Sequence, residues 1–383
     1  MKKAYILTIL WLGLSCNGTD DIFEENFTRG GFAQFSKDLE TTRFNLLTFE
    51  EASFSAEVID PNNNIITYSL ALIYGEIVVD DFIVLNSLPG TVVFTGQEVL
   101  DALNLTIADL ETSVSLEFVA TITTPEGTFS GNRPDFDAST NSVVGGDTAN
   151  EIFASAMRQA VNFSFSFFLP PPRKLRGTSF EEPFGNDEPY TKPGGVTENE
   201  ALTNNPGERF VVYTAQGTGV DDEIGFTAEV FFVDGDSGFT SERIGVSTDT
   251  EAVGGAFVDG VQGYQIEDVD GLFRLTFDTV LVDNTVNPSS GVQIQYYPIE
   301  ADHESGDNLT ITAEIERADG SMETLELLNI SGTDIDNGLE ERWNLADTGF
   351  LIDVVSYTLI IETNIDSGAE DVYFDQMLVY IPE

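Results

Sequence analysis

Residues Phe163-Ser-Phe-Ser-Phe167 alternate apolar and polar without a break. Only an extended strand puts every second side chain on one face, so this segment can be little else. Similar runs recur. Phe54-Ser-Ala-Glu-Val58 and residues 65–72 flank the turn Asp60-Pro-Asn-Asn-Asn64, and residues 114–124 end at Pro125-Glu-Gly127. Further runs lie at residues 210–213, 226–233, 273–282, 292–297, 309–316, 354–362 and 372–381, parted by Gly, Asp and Asn turns. Short strands at regular spacing without βαβ alternation predict an all-β chain of packed sheets. Helices are few and short. Thr95-Gly-Gln-Glu98 has the spacing of a capping box and opens one that carries Val99, Leu100 and Leu103. Asp147 caps a second, which reaches Ala160 with Ile152, Phe153, Ala156 and Met157 on one stripe.

The chain has one cysteine, Cys16, so no internal disulfide can hold it and stability must come from burial. Its 41% hydrophobic residues and 29 phenylalanines supply a core, against the disorder that a net charge of −50 would otherwise suggest. At 383 residues there is room for two domains. Pro170-Pro-Pro172 is a stiff break followed by the basic patch Arg173-Lys-Leu-Arg176, and the boundary is placed there. The expected division is a signal peptide over 1–15, an acidic tether over 16–28, one domain over 29–169, a Pro-rich linker over 170–175 and a second domain over 176–383.

Lys2 and Lys3 precede the apolar stretch 4–14, which is too short to span ~30 Å of hydrocarbon. Leu14-Ser15-Cys16 then has the form of a lipobox. Cys16 is therefore expected to carry lipid as the first residue of a mature lipoprotein, anchored in an outer membrane and facing the cell exterior. With 66 acidic against 16 basic residues, the surface repels nucleic acid and anionic headgroups, and nucleic-acid binding is excluded.

Two resemblances carry the reading further. Residues 29–169 resemble the N-terminal immunoglobulin-like domain of the SusE type, on the Asp60-Pro-Asn-Asn turn, the short helix Asn104-Leu-Thr-Ile-Ala-Asp-Leu110 and the strand ending Thr-Thr-Pro-Glu-Gly127. Acidic Asp20-Asp21 after the cysteine is similar to that group's surface-export signal. The resemblance implies a Bacteroidota surface lipoprotein working beside a SusC/SusD-like importer complex. Residues 176–383 resemble galactose-binding-like, carbohydrate-binding-module jelly rolls. The motifs are Thr178-Ser-Phe-Glu-Glu-Pro183, Asp371-Val-Tyr-Phe-Asp-Gln-Met-Leu-Val379 and, between them, 259–271. Related modules hold a structural Ca²⁺ with the Glu of the first motif and the Asp of the last strand. The resemblance thus implies Glu181 and Asp375 as calcium ligands.

The function these readings imply is non-catalytic binding of an extracellular polysaccharide or other polymer. A sugar ring stacks on an exposed aromatic face, so Trp343, Tyr296, Tyr297 and Tyr264 are the candidate ligand residues, with core packing as the plain alternative for each. Tyr296 and Tyr297 must face opposite sides of one strand. Catalysis is poorly supplied. The single His303, expected to be exposed in an acidic turn, excludes a zinc site built on clustered histidines and leaves little for a nucleophilic triad. Glu300-Ala-Asp-His-Glu304 has the carboxylate spacing of a jelly-roll glycoside hydrolase, yet it follows Pro298 and runs into Ser-Gly-Asp-Asn, as a loop does. Asp234-Gly-Asp-Ser-Gly238 and Asp268-Val-Asp-Gly271 have oxygen ligands for Ca²⁺ but complete no EF-hand loop, and plain turns are the expectation for both. The alternatives are a structural or adhesive surface protein and, more remotely, a glycoside hydrolase.

Overall fold

The computed structural model describes residues 30–131, 135–144, 153, 157–185, 189–190, 200–202, 208–217, 223–231, 242–299, 301, 303–365 and 367–383. Cys16, the expected signal peptide and the expected tether lie outside the described residues. So do Asp234-Gly-Asp-Ser-Gly238, Glu300, Asp302 and most of the expected helix from Asp147. That helix does not run to Ala160, because Arg158 has φ 43° and Gln159 bridges to Gln34. Among the described residues no helix is long and apolar enough to cross a membrane. The chain is all-β with a few short helices and divides into two units, Met1–Leu169 and Pro170–Glu383.

The first unit is a sandwich. One sheet runs Gln34–Phe35, Ser53–Ile59, Gly90–Thr95. The other runs Arg43–Asn45, Asn162–Phe168, Leu116–Thr124, Thr67–Tyr74, Ile77–Leu85, with Gly127–Ser130 on the side. Alternation decides the faces: Phe54, Ala56 and Val58 point inward and Ser53, Ser55 and Glu57 outward. Between the sheets, phenylalanines from both layers meet. Phe94 stacks on Phe54 at 5.0 Å and on Phe118 at 5.0 Å, and Phe118 stacks on Phe163 at 5.2 Å. Local motifs form as spelled. The Asp60 carboxylate accepts from the amides of Asn62 and Ile65, and Thr95 and Glu98 cap the helix Gly96–Leu103 reciprocally.

The second unit is also two-layered. Its first sheet runs Ile244–Ser247, Gly263–Glu267, Asp371–Pro382, Ser289–Pro298, Asn344–Asp347. Its second runs Glu200–Ala201, Phe226–Phe231, Val269–Phe277, Val354–Ile365, Asn308–Arg317, Met322–Ser331. Phe226, Phe273, Ile311 and Ile361 of one sheet pack against Ile266, Ile294, Phe374 and Val379 of the other. Two expectations are corrected here. The linker is mostly strand: Pro172–Thr178 pairs antiparallel with Asp371–Pro382, closing the sheet with the two ends of the unit. Proline is tolerated at this first strand position because its missing N–H is not called on there. Of residues 210–213, expected as a strand, Phe210 and Val211 end the short helix Glu208–Val211, while Tyr213 makes an antiparallel bridge to Phe226.

Candidate functional site

Pairing sorts the first sheet of the second unit into two faces. Tyr264 and Tyr296 both lie opposite Phe374 and point into the core. On the other face, Gln265 and Tyr297 lie opposite Tyr373, Glu267 opposite Asp371, and Gln295 opposite Asp375. This outer face is not bare. The segment after Ser247 crosses it, and Val253 and Phe257 pack on Tyr297 and Tyr373.

Trp343 completes the cluster. It precedes the edge strand Asn344–Asp347, its ring meets Tyr297 at 5.4 Å and Phe257 at 6.2 Å, and its Nε1 donates to the Ala256 carbonyl at 3.3 Å. Trp343 itself is only partly buried. Beside it lies a groove of about 290 Å³ lined by Glu251, Ala252, Gly254, Tyr297, Ile299 and Glu341. Burial and the Glu341 carboxylate hold the Tyr297 phenol above its usual range, so it remains a neutral hydrogen-bonding group. An aromatic plate edged by carboxylates and a phenol can take a sugar ring, with C–H groups on the plate and hydroxyls on the rim.

Of the four aromatic candidates, then, Trp343 and Tyr297 lie on the outer face, where Tyr297 is 5% exposed. Tyr264 is fully buried with its hydroxyl donating to the Val211 carbonyl at 2.9 Å, and Tyr296 is 3% exposed. Both are core residues, because in-register pairing with Phe374 points them inward. Glu251, Gly254, Phe257 and Glu341 were not legible as site residues: they arrive on loops, which carry no periodic pattern.

Lower on the same face, Asp371 lies beside Glu267, with Gln265 donating to it at 3.3 Å and Arg243 3.5 Å from Glu267. Burial and the Glu267 charge push the Asp371 carboxyl up to about 7.

Glu181 and Asp375 are brought to one turn. Asp375 Oδ2 accepts from the Asp259 amide at 2.9 Å, and Glu181 Oε1 accepts from the amides of Val261 at 2.8 Å and Gln262 at 3.3 Å. Gly260 between them has φ 76°, and a Cβ there would stand 2.0 Å from Glu181 Oε1, so only glycine fits. Glu223, which the sequence did not single out, accepts from the amides of Ser179 and Glu182 and holds the opening motif in place. Asp375 is fully buried, and burial raises its carboxyl to about 7. The all-oxygen donor set suits a hard cation, which would relieve that cost. Among the described residues, however, no three of these acids place ligand atoms within 4.8 Å of one another.

Two other groups do converge: His303 with Asp336 and Glu340, and Glu304 with Asp307 and Glu370. His303 is not exposed as expected but 4% accessible. It sits beneath the helix Gly332–Asp336, whose Gly332 approaches so closely that a Cβ would be 2.1 Å from the Glu304 carbonyl. Glu304 itself stands outside any strand, so the hydrolase-like spacing is not displayed on a strand face.

No family model matches the chain, and no curated protein does. Among solved structures it is similar to TmCBM61 in complex with β-1,4-galactotriose, at 10% identity over 48% of this chain and 99% of that one, with a TM-score of 0.28. It is similar to the CBM22-1 xylan-binding domain from Paenibacillus barcinonensis Xyn10C, at 12% identity over 49% and 99%, with a TM-score of 0.23. It is also similar to a structure of infectious bursal disease virus Gx strain, at 15% identity over 51% and 54%, with a TM-score of 0.24. At these scores the likeness is loose.

Proposed function

We propose that the unit Pro170–Glu383 binds a neutral extracellular polysaccharide in the groove beside Trp343, without transforming it. The observation that carries this is the partly exposed Trp343 packed against Tyr297, which lines a groove with Glu251 and Glu341. Those two carboxylates, on a chain of net charge −50, disfavour uronate polymers. Galacto- and xylo-oligosaccharides are the first probes. Because the only other tryptophan is Trp11, inside the expected signal segment, tryptophan fluorescence of the mature chain reports Trp343 alone. Binding should shift that emission, and Trp343→Ala should weaken affinity about ten-fold, the equivalent of one lost aromatic contact of ~1.4 kcal/mol. Equal affinity in Trp343→Ala would remove the groove from consideration. New reducing ends from the probe glycans would overturn the non-catalytic part.

The wider setting belongs to the same proposal. Lipid on Cys16 would hold the protein on the outer-membrane surface, where it would serve a SusC/SusD-like importer; the three-part N-terminus supports this. Mass spectrometry of the native protein should find acylated Cys16 as its first residue, and Met1 in place would sink the assignment. Ca²⁺ is proposed to bridge Glu181 and Asp375, supported by their shared turn and the buried Asp375 carboxyl. Chelation should then lower the melting temperature of wild type but not of Asp375→Asn. The competing reading, a structural or adhesive surface protein, is favoured by the burial of Tyr264 and Tyr296, which leaves one aromatic plate where an extended glycan would use several.

A further inference from the structure

We infer that His303, Asp336 and Glu340 bind a divalent metal ion of the zinc class, and that this ion fastens the segment carrying Trp343. The His303 side chain is wholly buried, and neither Nδ1 nor Nε2 has a hydrogen-bond partner among the described residues. Burying a polar nitrogen unsatisfied is costly, and an ion at Nδ1 would remove that cost for the nitrogen that faces the carboxylates. Nδ1 is 3.4 Å from Asp336 Oδ1 and 3.8 Å from Glu340 Oε1. Both separations exceed an N–H···O hydrogen bond, which runs to about 3.2 Å. They come near the spacing of two donors sharing one ion, since ligands ~2.0–2.2 Å from zinc stand about 3.0–3.5 Å apart.

The carboxylates are already aimed. Asp336 Oδ1 accepts from the His303 amide at 3.2 Å, and Glu340 Oε1 from the Ala301 amide at 3.0 Å. One imidazole and two carboxylates form a mixed nitrogen–oxygen set that suits zinc rather than calcium, which takes oxygen alone. The neighbouring group of Glu304, Asp307 and Glu370 offers only oxygen and serves as the contrast.

The ion would tie His303 to the end of the helix Gly332–Asp336 and the turn that follows it. Glu340 directly precedes Glu341, whose amide donates to the Pro298 carbonyl at 2.9 Å and whose side chain lines the groove; Trp343 follows two residues on. The fastening half of the inference rests on the groove reading above, whereas the metal half does not.

The test uses the full mature chain, stripped with chelator, dialysed and titrated with ZnCl₂ alone. The chain has a single histidine, so its imidazole proton signals in NMR belong to His303 without further assignment. Uptake of zinc should move those signals in step with the calorimetric titration. His303→Gln, and separately Asp336→Asn with Glu340→Gln, should bind at least about ten-fold more weakly, one tenfold being one step of the affinity scale. Glu304→Gln with Glu370→Gln should leave the His303 shift intact. Asp336 is exposed, so Asp336→Asn keeps the test open should His303→Gln fail to fold, with circular dichroism deciding. Zinc uptake with unmoved His303 signals, undiminished uptake in the variants, or no uptake at all would overturn the site. Galacto- and xylo-oligosaccharide affinity should fall several-fold in the stripped chain. Affinity that ignores zinc, or no glycan binding in either state, removes the fastening half and leaves the metal site standing on its own titration.

Discussion

Tyr264 and Trp343 offer similar aromatic surface in the sequence, and packing sends them to opposite fates. Tyr264 pairs in register with Phe374 and spends its hydroxyl on the Val211 carbonyl. Tyr264→Phe should therefore cost about 1–2 kcal/mol, the price of one buried unsatisfied carbonyl, and leave glycan affinity unchanged. Urea unfolding beside a binding titration checks both, and weakened binding would contradict its core role. Asp371 is the second informative residue. Its carboxyl rises from 3.8 to about 7 in the folded chain. The folded state then holds a proton that the unfolded state has released, so this group's contribution to stability is fullest below the unfolded value. It declines as pH rises from about 4 to about 7, and is level beyond. Asp371→Asn should flatten that decline, seen as urea midpoints at about pH 5 and about pH 8 that differ less than in wild type. An unchanged difference would place the titration elsewhere.

At the scale of elements, the strands were readable wherever one face is buried and the other wet. Ser53–Ile59, Leu116–Thr124 and Asn162–Phe168 alternate in burial as they alternate in letters. The same alternation concentrates phenylalanine between the two layers of the first unit. Phe118 touches Phe94, Phe163 and Phe165 and is fully buried. Phe118→Ala should destabilise that unit by about 3–5 kcal/mol, measured by denaturant unfolding. A loss below about 1 kcal/mol would mean the stack can collapse around the cavity. Phe210-Val211 and Pro172–Thr178 misled because local pattern was outweighed by tertiary placement. Four apolar letters in a row suit a buried helix turn as well as a strand, and a proline run can open a strand at a sheet end.

The whole molecule carries −50 charges on 383 residues. Like charges repel across a compact surface, so the folded state works against its own field. Raising NaCl from about 0.1 M to about 1 M shortens the screening length from ~10 Å to ~3 Å and should raise the melting temperature steadily. A melting temperature that falls with NaCl would show that attractive pairs, such as Arg274 with Glu362 at 2.5 Å, outweigh the repulsion.

The sequence by itself determined the fold class, and its proline run fell at the boundary between the two units. Period and composition are local or additive properties, so letters alone carry them. Only the tertiary structure decided which aromatics face solvent and which acids converge. Strand register sent Tyr264 and Tyr296 inward, and loops far apart in the chain brought Glu251 and Glu341 to one groove beside Tyr297. His303 met Asp336 and Glu340 only when the helix Gly332–Asp336 settled over its loop. Such convergence depends on long-range packing, which leaves no period in the chain to read.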